Sequence, residues 1–447
     1  MSEKRKKPVI NKPLKNIRKM GNITFRSFSQ AIYLTTVFFT DNGLISYASS
    51  CAFGFLFSFI PVVFLIFAIV VRILHTSPEA VTELLAKTGI FDKAFNIESM
   101  VDSLLNVSKI TSVEIVMIIT IFFMARRFFA SSMASLRTIF KEKVEVQPLL
   151  QQGIILIGEA IFIISAAFLI IFISVLRTVR AQPVFADLLT KFPIITSNLS
   201  TIIVNGVPVV FIFAVVFFFY KQGSRSKPPL LPTMFSAGLC TLVFWSFQKL
   251  MRYFININNY NFVYGALSTI IVLLLEVWFF FLFFLYFAEF LFVYQYFDTL
   301  LLSELYVLPE RDDTRLIPTM KRILFITPTS LISKKGSTVS FKKDEFIYFQ
   351  GDKEDYVYYI IKGSVLIMQP NNVEYEDTGD FFGEQACLLN SSRKEEAKAV
   401  TDVQLLRIDK ETFYELIDKN LKVSQKALSK ISSYFSKIYG RINDNLL

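Results

Sequence analysis

Residues 381–396 read FFGEQACLLNSSRKEE. Gly383 and Glu384 stand side by side, and Arg393 follows nine residues after the carboxylate. A carboxylate can accept hydrogen bonds from a sugar's hydroxyls, and a guanidinium can grip a phosphate with parallel N–H donors. Small and apolar residues between them leave space for a ligand. Lys394, Glu395 and Glu396 crowd the arginine with charge. A carboxylate beside a bound phosphate repels it, a bulky side chain denies close backbone approach, and Lys394 offsets part of the charge. The stretch therefore fits either a working anion pocket or a structural module whose pocket stays vacant.

Other candidate groups lie in apolar surroundings, where an ionisable residue is costly and hence a functional candidate. Glu276 is about midway along the apolar run 262–297, and Glu289 lies 13 residues later. At ~100° per residue they are separated by roughly 220° around a helix, so a straight helix cannot aim both at one cavity. Glu276 is assigned the substrate-facing role and Glu289 a packing or interface role. A protonated Glu276 hydrogen-bonded between helices is the equal alternative. Glu159 sits roughly two turns into the run 153–176. Arg126 and Arg127 either pair with it or extend to the headgroups. Asn205 opens the sequence Asn-Gly-Val-Pro, where a helix is expected to break. Broken helices line some transport sites, and proline kinks also occur without function. The lone histidine, His75, and the scattered Cys51, Cys240 and Cys387 make no metal cluster and no nucleophile–base pair. No metal site and no enzymatic activity are expected, and without a phosphate-binding Walker motif the chain does not hydrolyse ATP.

The elements that must position these groups follow from hydropathy. The chain has 447 residues, 53% hydrophobic, with 49 phenylalanines and a mean hydropathy of +0.48, a composition of the membrane class. Six spans of about 20 residues or more are expected near 44–71, 111–132, 153–176, 199–220, 230–251 and 262–297. Residues 23–42 are less apolar and read as an interfacial amphipathic helix. Nine Lys/Arg stand within residues 1–26. With the basic loops after spans two and four, they place both termini in the cytosol, although the loop after span three runs against the pattern. The arm is read as a topology signal, with no nucleic acid partner. The expected organisation is a basic arm and interfacial helix over 1–42, a six-span domain over 43–297, a linker or helical stalk over 298–320 and a cytosolic domain over 321–447. The stalk is expected to be the only covalent route between the two halves.

Three stretches of the first half carry a resemblance. DNGLISYASSCAFGFLFSFIP, opening on Asp41, ARRFFASSMASLRTIF from Ala125, and YGALSTIIVLLLEVWFFFLFFLYFAEF from Tyr264 are similar, in order and spacing, to motifs of the YihY/BrkB family. The family usually has Gly where Phe287 stands. The resemblance covers about residues 20–300. It implies an all-α six-helix domain in a bacterial inner membrane, with transport or flipping of lipid-linked, amphiphilic material as the suggested role.

After residue 298 the pattern changes to short β-like runs, TVSFK, EFIYFQ, YVYYIIKG and SVLIMQ, separated by turn signals. A last strand VQLLRI leads to helices. The spacing predicts a β jelly roll with flanking helices. Leu421, Leu428, Ile431, Phe435, Ile438 and Ile442 form one apolar stripe on the terminal helix, which either dimerises in a homo-oligomer or covers the domain. Residues 314–442 resemble a cyclic-nucleotide-binding domain. Phe382, Gly383, Glu384, Ala386 and Arg393 match its Phe-Gly-Glu, Ala and Arg positions. Ser392, Lys394 and Glu395 depart from it, where the family has Pro before the arginine and small residues after it. The resemblance implies cyclic AMP or cyclic GMP as a regulatory ligand, with Glu384 on the ribose 2′-hydroxyl and Arg393 on the phosphate. A short helix after Gly383 would turn backbone N–H groups toward that phosphate. Two functions remain open: a transporter regulated by this domain, or a membrane-anchored sensor or scaffold that moves nothing.

Overall fold

Long apolar runs free of turn residues satisfy their backbone polar groups internally as helices, and the described runs in the first part of the chain fold that way. The computed structural model describes residues 25–57, 129–140, 153, 193–223, 228–254, 266–309, 315–332, 337–353, 355–369 and 372–444. The basic arm before residue 25, His75, Arg126, Arg127, Glu159 and most of spans two and three lie outside the described residues. The chain divides into two units, one of residues 35–292 and one that joins 1–34 to 293–447.

The first unit contains most of the apolar helices. Helix α1, Phe25–Asp41, is followed across Gly43 by α2, Leu44–Phe57, and by α3 over 129–139. Helices α4, Pro193–Gln222, α5, Leu230–Phe254, and α6, Ala266–Gln295, complete its described part. Leu230–Phe254 and Ile271–Gln295 are long and apolar enough to cross a membrane. The break expected at Asn205 does not occur, because α4 continues through Pro208. A proline inside a helix removes one backbone donor and crowds one carbonyl, and here the ladder resumes on both sides. Small residues of α5, among them Ser236, Ala237 and Cys240, are buried. They let backbones approach closely, as membrane helices require without a hydrophobic drive to associate. Ser236 donates to the Phe287 carbonyl at 2.5 Å, and Tyr220 of α4 donates to the Phe284 carbonyl at 2.6 Å. Trp278 of α6 donates to Ser49 of α2 at 3.0 Å.

The second unit is a β-sandwich with helices. Its strands are β1 (Thr338–Phe341), β2 (Phe346–Tyr348), β3 (Tyr356–Lys362), β4 (Ser364–Gln369), β5 (Asn372–Asp377), β6 (Phe381–Phe382), β7 (Glu396–Ala399) and β8 (Val403–Asp409). They form two antiparallel four-stranded sheets, ordered β1-β8-β3-β6 and β2-β7-β4-β5. Inward residues from both sheets, including Tyr348, Tyr358, Ile360, Val365, Phe382 and Leu405, make the core. Between β3 and β4, Gly363 has φ +94°, and a β-carbon there would lie 2.6 Å from the Asp402 carbonyl oxygen. Only glycine suits both demands.

Helices α7 (Phe297–Tyr306), α8 (Leu316–Phe325) and α9 (Thr329–Ile332) precede the sandwich. The described residues of the segment expected as a linker or stalk, 298–309 and 315–320, therefore belong to this unit. Leu301, Leu305 and Tyr306 are buried, and the Tyr306 ring meets Phe381 and Phe413 edge-on at 5.1 and 5.4 Å. The start of α1 also belongs here. Ser27, Gln30, Ala31 and Leu34, spaced as one helical face, are buried. Arg26 donates to the carbonyls of Ile323 and Leu324 at 2.5 and 3.2 Å, and Gln30 donates to Leu324 at 2.9 Å. These are last-turn carbonyls of α8, which lack partners within their own helix. The division between units falls inside α1 and inside α6, so the polypeptide passes between the units twice and the single covalent route expected from the sequence is corrected to two.

Candidate functional site

The site is assembled where β6 ends. Phe381 and Phe382 pair with Tyr359 and Tyr358 of β3, which fixes the strand end against the core. Gly383 follows with φ +77°, and the five-residue helix α10, Glu384–Leu388, starts at once. A β-carbon on Gly383 would lie 2.6 Å from Arg393 Nη1. The glycine is thus demanded by its own backbone and by the arginine pressed against it.

Arg393 is 1% exposed. It donates from Nη1 to the Gly383 carbonyl and from Nη2 to the Tyr356 carbonyl at 2.6 Å, and its Cζ lies 4.2 Å from the centre of the Tyr348 ring. Tyr348, Tyr358 and Phe382 stack on one another with ring centres 5.3 to 6.2 Å apart, so the guanidinium rests on an aromatic floor. Two of its five donors are used by carbonyls, and Nε has no hydrogen-bond partner among the described residues. The group is held in place by neutral carbonyls, with donors to spare for an anion.

Glu384 is almost as enclosed. Its Oε1 is paired with Lys430 Nζ, delivered by the terminal helix α12, Leu421–Asp444, which follows α11, Lys410–Lys419. The Tyr306 ring lies 5.8 Å from the same ammonium. The Tyr306 hydroxyl is buried without a hydrogen-bond partner among the described residues. Glu376 of β5 belongs to the same electrostatic neighbourhood. Burial pushes its carboxyl up to about 7, with Asp380, Glu384 and Glu374 adding to the rise and Lys430 opposing it. Burial alone would lower the Lys430 pKa, but Glu384, Tyr306 and Glu376 hold it above the ordinary lysine range.

The residues after Arg393 alternate. Lys394 is exposed, and Glu395 points inward at 7% exposure. Glu395 accepts from the Tyr348 hydroxyl at 3.0 Å and from Gln369 Nε2 at 3.1 Å. Burial raises its pKa against the pull of those two donors. The expectation that both residues flank a bound phosphate is corrected. In the bend that precedes β7, Lys394 faces solvent and Glu395 is left alone on the arginine's side. Ala386 is buried on α10. Gly383, Glu384 and Arg393 thus come together as the spacing predicted. Lys430 and Tyr306 join them from outside the motif. Neither was legible in advance, because Lys430 reads as part of a solvated helix face and Tyr306 as part of a stalk.

In the other unit, Glu289 is fully buried and accepts from Asn42 Nδ2 at 3.3 Å, whereas Glu276 is half-buried. Asp41 is exposed at the end of α1. Asn205 lies within α4, where only the backbone is described. No group of His, Cys, Asp and Glu fit to hold a metal ion occurs among the described residues.

The family profile described as Virulence factor BrkB matches residues 37–302, which is 266 of the 447 residues. The chain belongs to the BrkB family. With it comes the membrane class, in agreement with the two membrane-length helices. A second profile, Cyclic nucleotide-binding domain, matches residues 338–420 within the sandwich. A cAMP-dependent protein kinase regulatory subunit of Candida albicans is 38% identical over 79 residues, 17% of this chain and 17% of that protein. Among solved structures, the Thermus thermophilus catabolite activator protein is 20% identical over 24% of this chain and 53% of that one, with a TM-score of 0.22. The cAMP-bound EAL enzyme Bd1971 is 29% identical over 24% of this chain and 30% of its own, with a TM-score of 0.20. Scores this low lend no weight to a functional reading. The matched kinase subunit and both structures extend well beyond what this chain covers of them.

Proposed function

We propose that this BrkB-family chain is a multi-pass protein of a bacterial inner membrane, with six spans and both termini in the cytosol. Its membrane unit moves a lipid or amphiphilic substrate under the control of a sensor that takes cyclic AMP or cyclic GMP. The observation that carries the sensor half is Arg393, buried on an aromatic floor beside Gly383 and Glu384 with a donor to spare. The half-buried Glu276 supports a substrate-facing role in α6, and the enclosed, hydrogen-bonded Glu289 a packing role. The heptad spacing of exposed Leu421, Leu428 and Phe435 supports a second copy as a partner of α12. The reading includes no enzymatic step, since the sequence offers no nucleophile–base pair and no metal cluster.

A second reading is favoured by a specific observation. The pocket's carboxylate and guanidinium both have partners inside the protein, as a vacant structural module would provide for itself. Reconstitution decides between them. Purified protein in liposomes containing fluorescent lipid is assayed for lipid movement with and without each cyclic nucleotide. Movement that responds to nucleotide supports the regulated transporter. Nucleotide binding without movement leaves a sensor or scaffold, and neither leaves the structural module.

A further inference from the structure

Lys430 is not placed by chance. On α12, Val423 and Ala427 are buried at 0% and 2% exposure, and Lys430 follows them on the same helix face at the spacing of one and two turns. Lys426, one turn earlier, has its ammonium 5.6 Å from the Tyr306 ring. The packed face therefore delivers the Lys430 ammonium to a carboxylate whose side chain is only 6% exposed. In such surroundings an ion pair with one buried partner is a strong competitor. A charge-assisted hydrogen bond is roughly twice as strong as a neutral one. The hydroxyl of a sugar is a neutral donor and cannot displace an ammonium from the same oxygen without loss.

We propose that Lys430 is a specificity-determining residue that occupies the ribose position of the pocket. Its ammonium holds the Glu384 carboxylate that a 2′-hydroxyl would otherwise engage, so the resting pocket gains nothing from ribose over 2′-deoxyribose. The proposal rests on the reading of Glu384 and Arg393 as nucleotide-binding groups. Arg393 is left out of the lock, because its own partners are the carbonyls of Gly383 and Tyr356 and it keeps its place whether or not α12 is docked. Phosphate recognition and ribose recognition are thereby separated: the first is always available, and the second needs Lys430 to leave.

The test is calorimetry on the full chain in lipid nanodiscs, with cyclic AMP and 2′-deoxy cyclic AMP as probes. Wild-type protein should bind the two within a factor of about two. Lys430→Met should bind cyclic AMP about tenfold more tightly, as expected when a hydroxyl gains a charged acceptor, and should bind the deoxy analogue as wild type does. Lys430→Arg keeps a cation at the carboxylate and should behave as wild type. Equal shifts for the two nucleotides in Lys430→Met, no shift, or weaker binding of cyclic AMP would overturn the ribose lock while leaving the nucleotide pocket standing. No binding of either probe by wild type and Lys430→Met, both folded by thermal unfolding, would overturn the pocket reading and the lock with it.

Discussion

Arg393 is fixed by the protein before any ligand arrives, so removing it should act on binding first. Charge-assisted hydrogen bonds are worth roughly 1.5–3 kcal/mol, and Arg393→Ala should weaken cyclic nucleotide binding by about tenfold or more in calorimetry. The bend before β7 separates the two residues that follow. Glu395 shares the arginine's face, and Glu395→Gln keeps an acceptor for Tyr348 while removing an acid from the anion's surroundings. It should tighten binding. Lys394 is exposed, and Lys394→Ala should change affinity by less than about twofold, as isolated surface charges do. A third residue reports through pH. The Glu376 carboxyl rises from 4.5 to about 7 on folding, chiefly by burial. A group with a raised folded pKa binds more protons folded than unfolded, so its contribution is complete below about 4.5 and is lost as pH climbs through about 7. The urea midpoint of a 293–447 fragment should therefore fall across that window. Glu376→Gln should flatten the fall, and an unchanged slope would remove Glu376 as its source.

At the scale of elements, the sandwich was legible where burial alternates and hidden where it does not. The runs TVSFK, EFIYFQ, YVYYIIKG and SVLIMQ became β1 to β4, and VQLLRI became β8, because their apolar residues face a core. β5, Asn372–Asp377, escaped notice, since this acidic run is an edge strand that only half hides its residues. The stretch DTLLLSELY was read as stalk from the prolines around it, although its leucines and tyrosine already announced a buried face. The break at Asn205 was read from propensity, which one proline does not decide in a 30-residue apolar helix. The Gly383–Glu384–Arg393 set was legible because sequence spacing nearly fixes it. Lys430 was not, because its partner is 46 residues away and only the docking of α12 brings them together. The misread stalk has a consequence for any fragment. One that starts at 314 lacks Leu301, Leu305 and Tyr306, and uncovers Phe381 and Phe413. Losing a large buried aromatic alone costs about 3–5 kcal/mol. A fragment starting at 293 should melt cooperatively and well above one starting at 314, and equal melting temperatures would show that α7 contributes no core.

For the whole molecule, the question is how a sensor's state reaches the membrane unit. A ligand shifts an equilibrium only if some element differs between the two states and both sites bear on it. The chain passes between its units within α1 and within α6, and α1 is fastened to the sensor unit in an identifiable way. Arg26 and Gln30 supply donors to the last carbonyls of α8, where a cation also meets the negative end of the helix dipole. Ser27 reaches Thr329 at 3.3 Å, and Tyr33 meets Phe325 edge-on at 5.3 Å. Tyr359 of β3 donates to Ile326, just past the end of α8, at 2.6 Å, so the same helix end touches the sheet that leads through β6 to Gly383. The double substitution Arg26→Ala, Gln30→Ala removes the donors that α1 supplies to the end of α8 without touching the pocket. Nucleotide affinity should stay within about twofold of wild type, since additivity holds for sites that share no partner. Hydrogen exchange in the last turn of α8 should speed up. Any change in exchange that cyclic nucleotide produces in residues 35–57 of the full chain should disappear. If that ligand-dependent change persists in the double variant, α1 is not the route, and the crossing within α6 carries the signal alone.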